Sequence, residues 1–202
     1  MLIIGAGGHA SEIIDELYNG SQEKQYYFFD EISMNQVFLN EFKVLRNTAE
    51  VYSHCNDNFQ FVLGVGNPLN RKNLANRFCK LGGKQTGVIS LKANVSQFKV
   101  HLENGVDVMT NASISSNVTI GKGTLINRNA SIHHDCVIGE FCEIAPNAVL
   151  LGKVKVGELS FIGAGAIILP GITIGSNCVI AAGSVVTRDV ADNQIVKGIP
   201  AK

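Results

Sequence analysis

Tryptophan is absent from this chain of 202 residues, and proline (4) and methionine (3) are scarce. An excess of charge of either sign is missing too: 17 Lys+Arg stand against 17 Asp+Glu, a formal net charge of +0. A nucleic-acid or anionic-membrane surface selects for a basic excess, so the balance speaks against both partners. No apolar run approaches the ~20 residues that span a bilayer. The opening MLIIGAGGHASEII has no basic leader, and glycine breaks its apolar start at Gly5, which is not the build of a secretory signal. The expectation is a cytoplasmic protein. Cys55 and Cys79 show no metal-ligand spacing, and nothing suggests a disulfide framework.

What is present is glycine, 21 residues of it, and a short period. From Leu102 to Ala191 an aliphatic residue recurs every six positions, with a small or β-branched one four places later: ISSNVT, IGKGTL, INRNAS, IHHDCV, IGEFCE, IAPNAV, LLGKVK and onward. Glycine often follows the aliphatic position, as at Gly121, Gly139, Gly157, Gly163 and Gly175. Six residues are too few for a helical repeat and suit a short strand plus a corner. The physical solution is a parallel β-helix, with aliphatic side chains on the axis and coils stacked by backbone hydrogen bonds about 4.8 Å apart. Cys136, Cys142 and Cys178 fall at the small position, as do Ala112, Thr124 and Ser184, so they read as compact buried thiols. The segment ANV lies one residue out of register with later units, and DNQIVKGIPAK is expected to leave the repeat as a cap or hairpin.

Residues 1–85 obey a different rule and 86–202 carry the repeat. LIIG reads as a buried strand, SEIIDELYN as an amphipathic helix, YYFFD as a second strand ending at Asp30, and FQFVLGVGN as a third. PLNRKNLANRFCKLG is a helix with Pro68 in its first turn, closed by Gly82-Gly83. TGVISL is a further strand. Alternating strands and helices imply a parallel α/β sheet.

Gly5, Gly7 and Ala10 match G-x-G-x-x-[G/A] between strand and helix, with Asp30 a little over twenty residues on. Such a loop lets a pyrophosphate approach the backbone and a helix N-terminus, while the acid bonds a ribose hydroxyl. The same letters also make a tight βα turn with no ligand. Only one mononucleotide half fits before the repeat begins, which suits a mononucleotide, or a nucleotide-sugar whose pyrophosphate lies over the loop, better than NAD. His9 is either a phosphate or sugar ligand or a polar residue of the first helical turn. Asn67 and Arg71, after the third strand, either face a ligand or cap the helix that follows.

One repeat unit breaks the bland pattern. In IHHDCV, Ile132 and Cys136 hold the inner positions, so His133, His134 and Asp135 fall on the corner. Imidazole beside carboxylate is a minimal general base near neutral pH. A polar corner facing solvent or a partner subunit would carry the same letters. Zinc shared between subunits is disfavoured, because the only other repeat-region histidine, His101, lies far back along the prism.

Together, GAGGHA in an α/β domain, SIHHDCVIGE in a hexapeptide helix and a terminal GIPAK resemble the bacterial nucleotide-sugar acetyltransferases of the NeuD/PglD type, across essentially the whole chain. The resemblance implies an α/β N-terminal Rossmann-like half domain followed by a left-handed parallel β-helix, a homotrimer, and acetyl-CoA held as co-substrate between neighbouring prisms without a metal. It implies His134 as general base and Asp135 as its partner. It maps the nucleotide-sugar site onto Gly5, Ala6, Gly7, Gly8, His9, Asp30, Glu31, Gly66 and Asn67. It maps the acetyl-CoA groove onto Glu143, Gly152, Ala164 and Ala182, with a backbone N–H near Gly152 facing the thioester oxygen. Some relatives have histidine where this chain has Glu143. Arg188 and Lys197 are placed by charge alone, near CoA phosphates or in solvent. The expected reaction is direct acetyl transfer to the amine of a UDP- or GDP-linked amino sugar. Rival expectations are O-acetylation of a sialic acid, an NAD-linked oxidoreductase resting on the glycine loop, and a non-catalytic nucleotide-sugar binding protein.

Overall fold

The computed structural model describes residues 1–18, 25–33, 35–55 and 58–202. The chain forms two compact units, one of Met1–Gly66 and Asn70–Val88, the other of Asn67–Leu69 and Ile89–Lys202.

In the first unit, β1 (Leu2–Ile4) is buried at every residue and pairs in parallel with β2 (Tyr27–Phe29) on one side and β5 (Gln60–Leu63) on the other. A strand buried on both faces has no polar alternation, which is why LII and FVL read as continuous apolar runs. Helix α1 (Gly8–Tyr18) begins inside the glycine loop and buries Ala10, Ile13 and Ile14; Asn19, at the end of the expected helix, lies outside the described residues. Between β2 and β5 come β3 (Val37–Phe38), β4 (Phe42–Leu45) and helix α2 (Thr48–His54). Asn47 caps α2 by accepting the Glu50 amide, while the Glu50 carboxylate accepts the Arg46 amide. Helix α3 (Pro68–Lys80) leads to β6 (Lys84–Gln85), and the sheet order is β3-β4-β2-β1-β5-β6, with only β3–β4 antiparallel. Phe28, Phe29, Phe61 and Phe78 fill the core. The expected strand TGVISL differs: β6 ends at Gln85, the Thr86 amide makes the last bond to β5 at the Phe61 carbonyl, and beyond it Ile89 makes a single bridge to Val108.

The second unit is a three-sided parallel β-helix. Ser113 pairs with Ser131, which pairs with Val149, so each coil takes eighteen residues, three hexapeptides. Inner aliphatics from Ile114 to Ile180 are all but fully buried, and the small positions between them are buried with them, Ile172 only in part. Polar groups at small positions are satisfied by the next coil: Thr124 and Ser160 hydroxyls donate to Gly139 and Gly175 carbonyls at 2.7 Å. The Cys142 thiol likewise donates to the Gly157 carbonyl at 3.1 Å, and burial pushes its pKa up to about 12. These cysteines are packing, not chemistry.

Asn94 pairs with Ser113 while His101 pairs with Thr119, so the extra residue implied by the register of ANV lies between Val95 and His101. The far end differs from expectation twice. The repeat does not run unbroken to Ala191: Val186 still pairs eighteen on from Ile168, but Val190 bridges Ile174, so the chain shortens by two residues between them. Nor does DNQIVKGIPAK leave the repeat at once. Ile195–Val196 adds a further rung on Val179–Ile180, and only then does the chain turn, with the Ala201 amide donating to the Val185 carbonyl. An apolar pair at Ile195–Val196 completes a ladder whose amides would otherwise face water.

Candidate functional site

His134 and Asp135 occupy the corner between the face of Ser131–Ile132 and the face of Val137–Ile138. The His134 carbonyl accepts the Lys153 amide from the next coil, and the Asp135 amide donates to the Ser116 carbonyl of the previous one. Asp135 has φ 62, the left-handed conformation that Asn117 and Asn147 adopt at other corners. That turn brings its carboxylate back beside the preceding side chain. His134 Nδ1 lies 2.8 Å from Asp135 Oδ2, and the Asn117 amide donates to Asp135 Oδ1 at 2.6 Å. The Asn117 bond, then the His134 bond, hold the Asp135 carboxyl below the usual carboxylate range. Carboxylate on Nδ1 favours the tautomer that leaves Nε2 as acceptor.

Gly152 lies one coil on, under the imidazole. A Cβ built there would sit 2.6 Å from His134 Cε1 and 2.7 Å from Nε2. Only glycine allows the ring to lie on that backbone. The Gly152 N–H makes no hydrogen bond among the described residues. His134 remains 56% exposed, open to a substrate.

Ala164 and Ala182 are exposed on a different corner, stacked through the Gly183 amide on the Ala164 carbonyl, and Glu143 sits on the face leading into it. A single chain therefore unites His134, Asp135 and Gly152 but not these three. Among the described residues no group of three or more metal-ligating side chains could hold a metal ion.

In the first unit, a cleft of about 330 Å³ opens at the C-terminal ends of β1, β2 and β5, the place where parallel α/β sheets bind ligands. Gly5, Asp30 and Glu31 line it, joined by Ile4, Phe29, Ile32, Val65, Asn70, Asn73 and Leu74. Gly5, at φ +115, lies so close to β5 that a Cβ would meet the Gly64 carbonyl at 2.8 Å, whereas Gly7 and Gly8 face open space. Asp30 organises the rim: Oδ1 accepts the Ile32 and Ser33 amides at 2.8 and 2.9 Å, and Oδ2 accepts the Ala6 amide at 3.3 Å. Glu31 forms a two-pronged ion pair with Arg77, both bonds 2.6 Å, which holds its carboxyl below the usual range. His9 turns its Nδ1 toward Glu12 at 3.4 Å. Gly66 and Asn67 do not line the cleft. Arg71, a candidate ligand by sequence, is fully buried and donates to the Leu63 and Val65 carbonyls, so its role is to pin the end of β5.

Sequence reasoning missed Asn117, Asn70, Asn73 and Arg77. The signal for Asn117 was available: it precedes Asp135 by one eighteen-residue coil. Arg77 had none, because only the folded sheet brings it to Glu31 across 46 residues.

Three family models match: the PglD N-terminal domain over residues 1–78, the bacterial transferase hexapeptide (six repeats) over 117–152, and the hexapeptide repeat of succinyl-transferase over 153–188. No curated protein matches. Among solved structures, PerB from Caulobacter crescentus, in complex with CoA and GDP-perosamine, is 32% identical, with a TM-score of 0.88 over 100% of this chain and 95% of that one. The acetyltransferase domain of PglB from Neisseria gonorrhoeae FA1090, in complex with acetyl coenzyme A, is 31% identical, with a TM-score of 0.91 over 100% and 97%. WeeI from Acinetobacter baumannii AYE is 26% identical, with a TM-score of 0.92 over 100% and 97%. The coils are thus those of a left-handed β-helix, and the chain belongs to the sugar N-acetyltransferases of the PglD/NeuD type.

Proposed function

We propose that this protein transfers the acetyl group of acetyl-CoA to the amine of a nucleotide-linked amino sugar, with His134 as general base. The observation that carries the assignment of the base is the Asn117–Asp135–His134 chain of hydrogen bonds ending over Gly152. Asp135 holds the Nδ1 proton, and Nε2 receives the proton lost by the amine as it attacks the thioester carbonyl. The C–N bond forms, the C–S bond breaks, and the thiolate leaves. The Gly152 N–H is a donor for the carbonyl oxygen as it gains charge. No covalent acyl-enzyme is needed, because nucleophile and donor are brought together directly.

The full-length likeness to PerB, described with CoA and GDP-perosamine, supports both substrate classes. Ala164 and Ala182 present small side chains on a corner where a long, thin ligand can lie close to the backbone, which suits a CoA arm, with Glu143 beside it. Because that corner is not the one carrying His134, the reading includes a homotrimer in which neighbouring prisms complete each site. It also includes a cytoplasmic location, where acetyl-CoA is available; among the described residues no helix is long and apolar enough to cross a membrane.

The test is thiol release from acetyl-CoA with a panel of UDP- and GDP-linked amino sugars, for wild type and His134→Ala. Release with one amino sugar, lost in the variant, is the expected result. Silence with every amine but turnover of a sialic acid hydroxyl would replace N- by O-acetylation. A variant as active as wild type would remove His134 from the chemistry.

A further inference from the structure

We infer that Lys153 stabilises the thiolate that leaves when acetyl-CoA gives up its acetyl group. This rests on the acetyltransferase reading above and adds a residue to it. Asn117, Asp135, Lys153 and Gly171 stack at one position of the catalytic corner. Each donates its amide to a carbonyl one coil back, at Phe98, Ser116, His134 and Gly152 in turn. All four hold left-handed φ, at 59, 62, 66 and 74. Glycine, asparagine and aspartate adopt that conformation readily, whereas lysine does so at a cost.

The shared conformation fixes where the lysine side chain starts. At Asp135 the turn returns the carboxylate beside His134, 2.8 Å from Nδ1. At Lys153 the same turn starts the side chain beside Gly152, whose N–H is the proposed donor to the thioester oxygen. Sulfur is bonded to the same carbon as that oxygen, so it lies within the span of a lysine stem. Gly152 has no side chain to fill the space, and Lys153 is exposed, which leaves its flexible four-carbon stem free to bring the ammonium to the sulfur.

Charge creates the need. As the C–N bond forms, the C–S bond breaks and its electron pair leaves on sulfur. The amine proton passes to His134 Nε2, and the imidazolium returns it to the thiolate; Lys153 gives up no proton. The ionised Asp135 carboxylate stands beside the base, and its field opposes negative charge on sulfur. Lys153, one coil on, supplies the opposite sign. Its field already reaches this corner: after the Asn117 and His134 bonds, the Lys153 charge also helps hold the Asp135 carboxyl low. The other charged or titratable groups around the corner are His133 one coil before, Lys155 on the adjoining strand, and Arg188 and Asp189 two coils after. Asp189 is engaged by the Thr173 amide at 2.8 Å.

The experiment titrates the thiol of bound CoA by its ultraviolet thiolate absorbance, in full-length wild type, Lys153→Asn and Lys153→Arg. Asparagine holds the same φ at Asn117, so the first variant keeps the corner's backbone. In wild type the bound thiol should ionise at least about one pH unit below that of free CoA. Lys153→Asn should abolish that shift and slow single-turnover acetyl transfer about 100-fold, and Lys153→Arg, which keeps the charge, should restore most of both. Calorimetric affinity for acetyl-CoA and for desulfo-CoA should not change, nor should the His134 tautomers. A bound thiol that ionises alike in wild type and Lys153→Asn would overturn the inference. So would equal losses of acetyl-CoA and desulfo-CoA affinity at an unchanged rate, which would make Lys153 a ligand of the CoA phosphates. Altered tautomers in Lys153→Asn would also overturn it, because the lysine would then act through Asp135. If wild type binds neither CoA nor acetyl-CoA, the acetyltransferase reading itself falls, and this inference with it.

Discussion

The chemistry of the corner depends on single atoms. Gly152 shows this directly. Its replacement by alanine would place a methyl group 2.6 Å from His134 Cε1, so the exposed ring must swing aside. A displacement of that size should lower kcat about 100-fold with little loss of thermal stability, since the ring has open solvent to move into. Steady-state kinetics beside a melting curve would separate the two. Replacing His134 itself by alanine should cost about 10²–10⁴-fold in rate.

Asn117 acts one step further back, on Asp135. The Asp135 carboxyl sits below its ordinary range, with the Asn117 bond as the larger cause. A depressed carboxyl pKa means that the His134–Asp135 pairing is fully present above the unfolded-chain value and is lost as pH falls through the folded one. Asn117→Ala should raise the Asp135 pKa, moving that loss to higher pH. It should also mix the His134 tautomers, which a long-range ¹H–¹⁵N spectrum reads directly. Unchanged tautomer populations would show that Asp135 needs no help. His134 and Asp135 were legible in the sequence because polar residues interrupt a strict pattern. Asn117 carried one signal, its spacing of a single coil from Asp135, but asparagines at several corners serve only to adopt left-handed φ, so one with a second task does not stand out from its letter alone.

At the level of the element, the repeat was legible because every inner position obeys one rule. Its coil length was also written in the glycines: Gly121, Gly139, Gly157 and Gly175 are spaced by one coil and stack at a single corner. A Cβ at Gly139 would meet the Glu158 amide nitrogen at 2.6 Å, and the others are as tight. Gly139→Ala should therefore destabilise the helix by about 1–3 kcal/mol. Gly165 is a different case. It has φ +68 with nothing within 4 Å, and Asn147 holds φ 61 one coil earlier. Gly165→Asn should unfold at nearly the same denaturant concentration as wild type, because asparagine tolerates that conformation. The β3–β4 hairpin and α2 went unread: the residues between the second and third strands lack a sustained period. Their capping box is legible only once α2 is known.

For the whole molecule, the decisive fact is that the proposed catalytic residues and the proposed acetyl-CoA residues stand on different corners of one prism. If neighbouring prisms complete each site, a site takes His134 from one copy and Ala164 with Ala182 from the next. Two inactive variants should then rescue each other. His134→Ala lacks the base; Ala182→Trp fills the groove. In trimers formed at random from equal amounts, a site works when its base comes from the Ala182→Trp copy and its groove from the His134→Ala copy. Each condition holds half the time, so about a quarter of wild-type activity should return. If one chain supplied both corners to its own site, every copy would carry a defect in its own site and nothing would return. The parent variants, each unfolded and refolded alone, give the baseline for the thiol-release assay. The same mixture run on a sizing column would show whether rescue and trimer appear together. Rescue near a quarter would place the active site between subunits. A mixture as silent as its parents would return both halves to one chain and leave the two corners without a shared purpose.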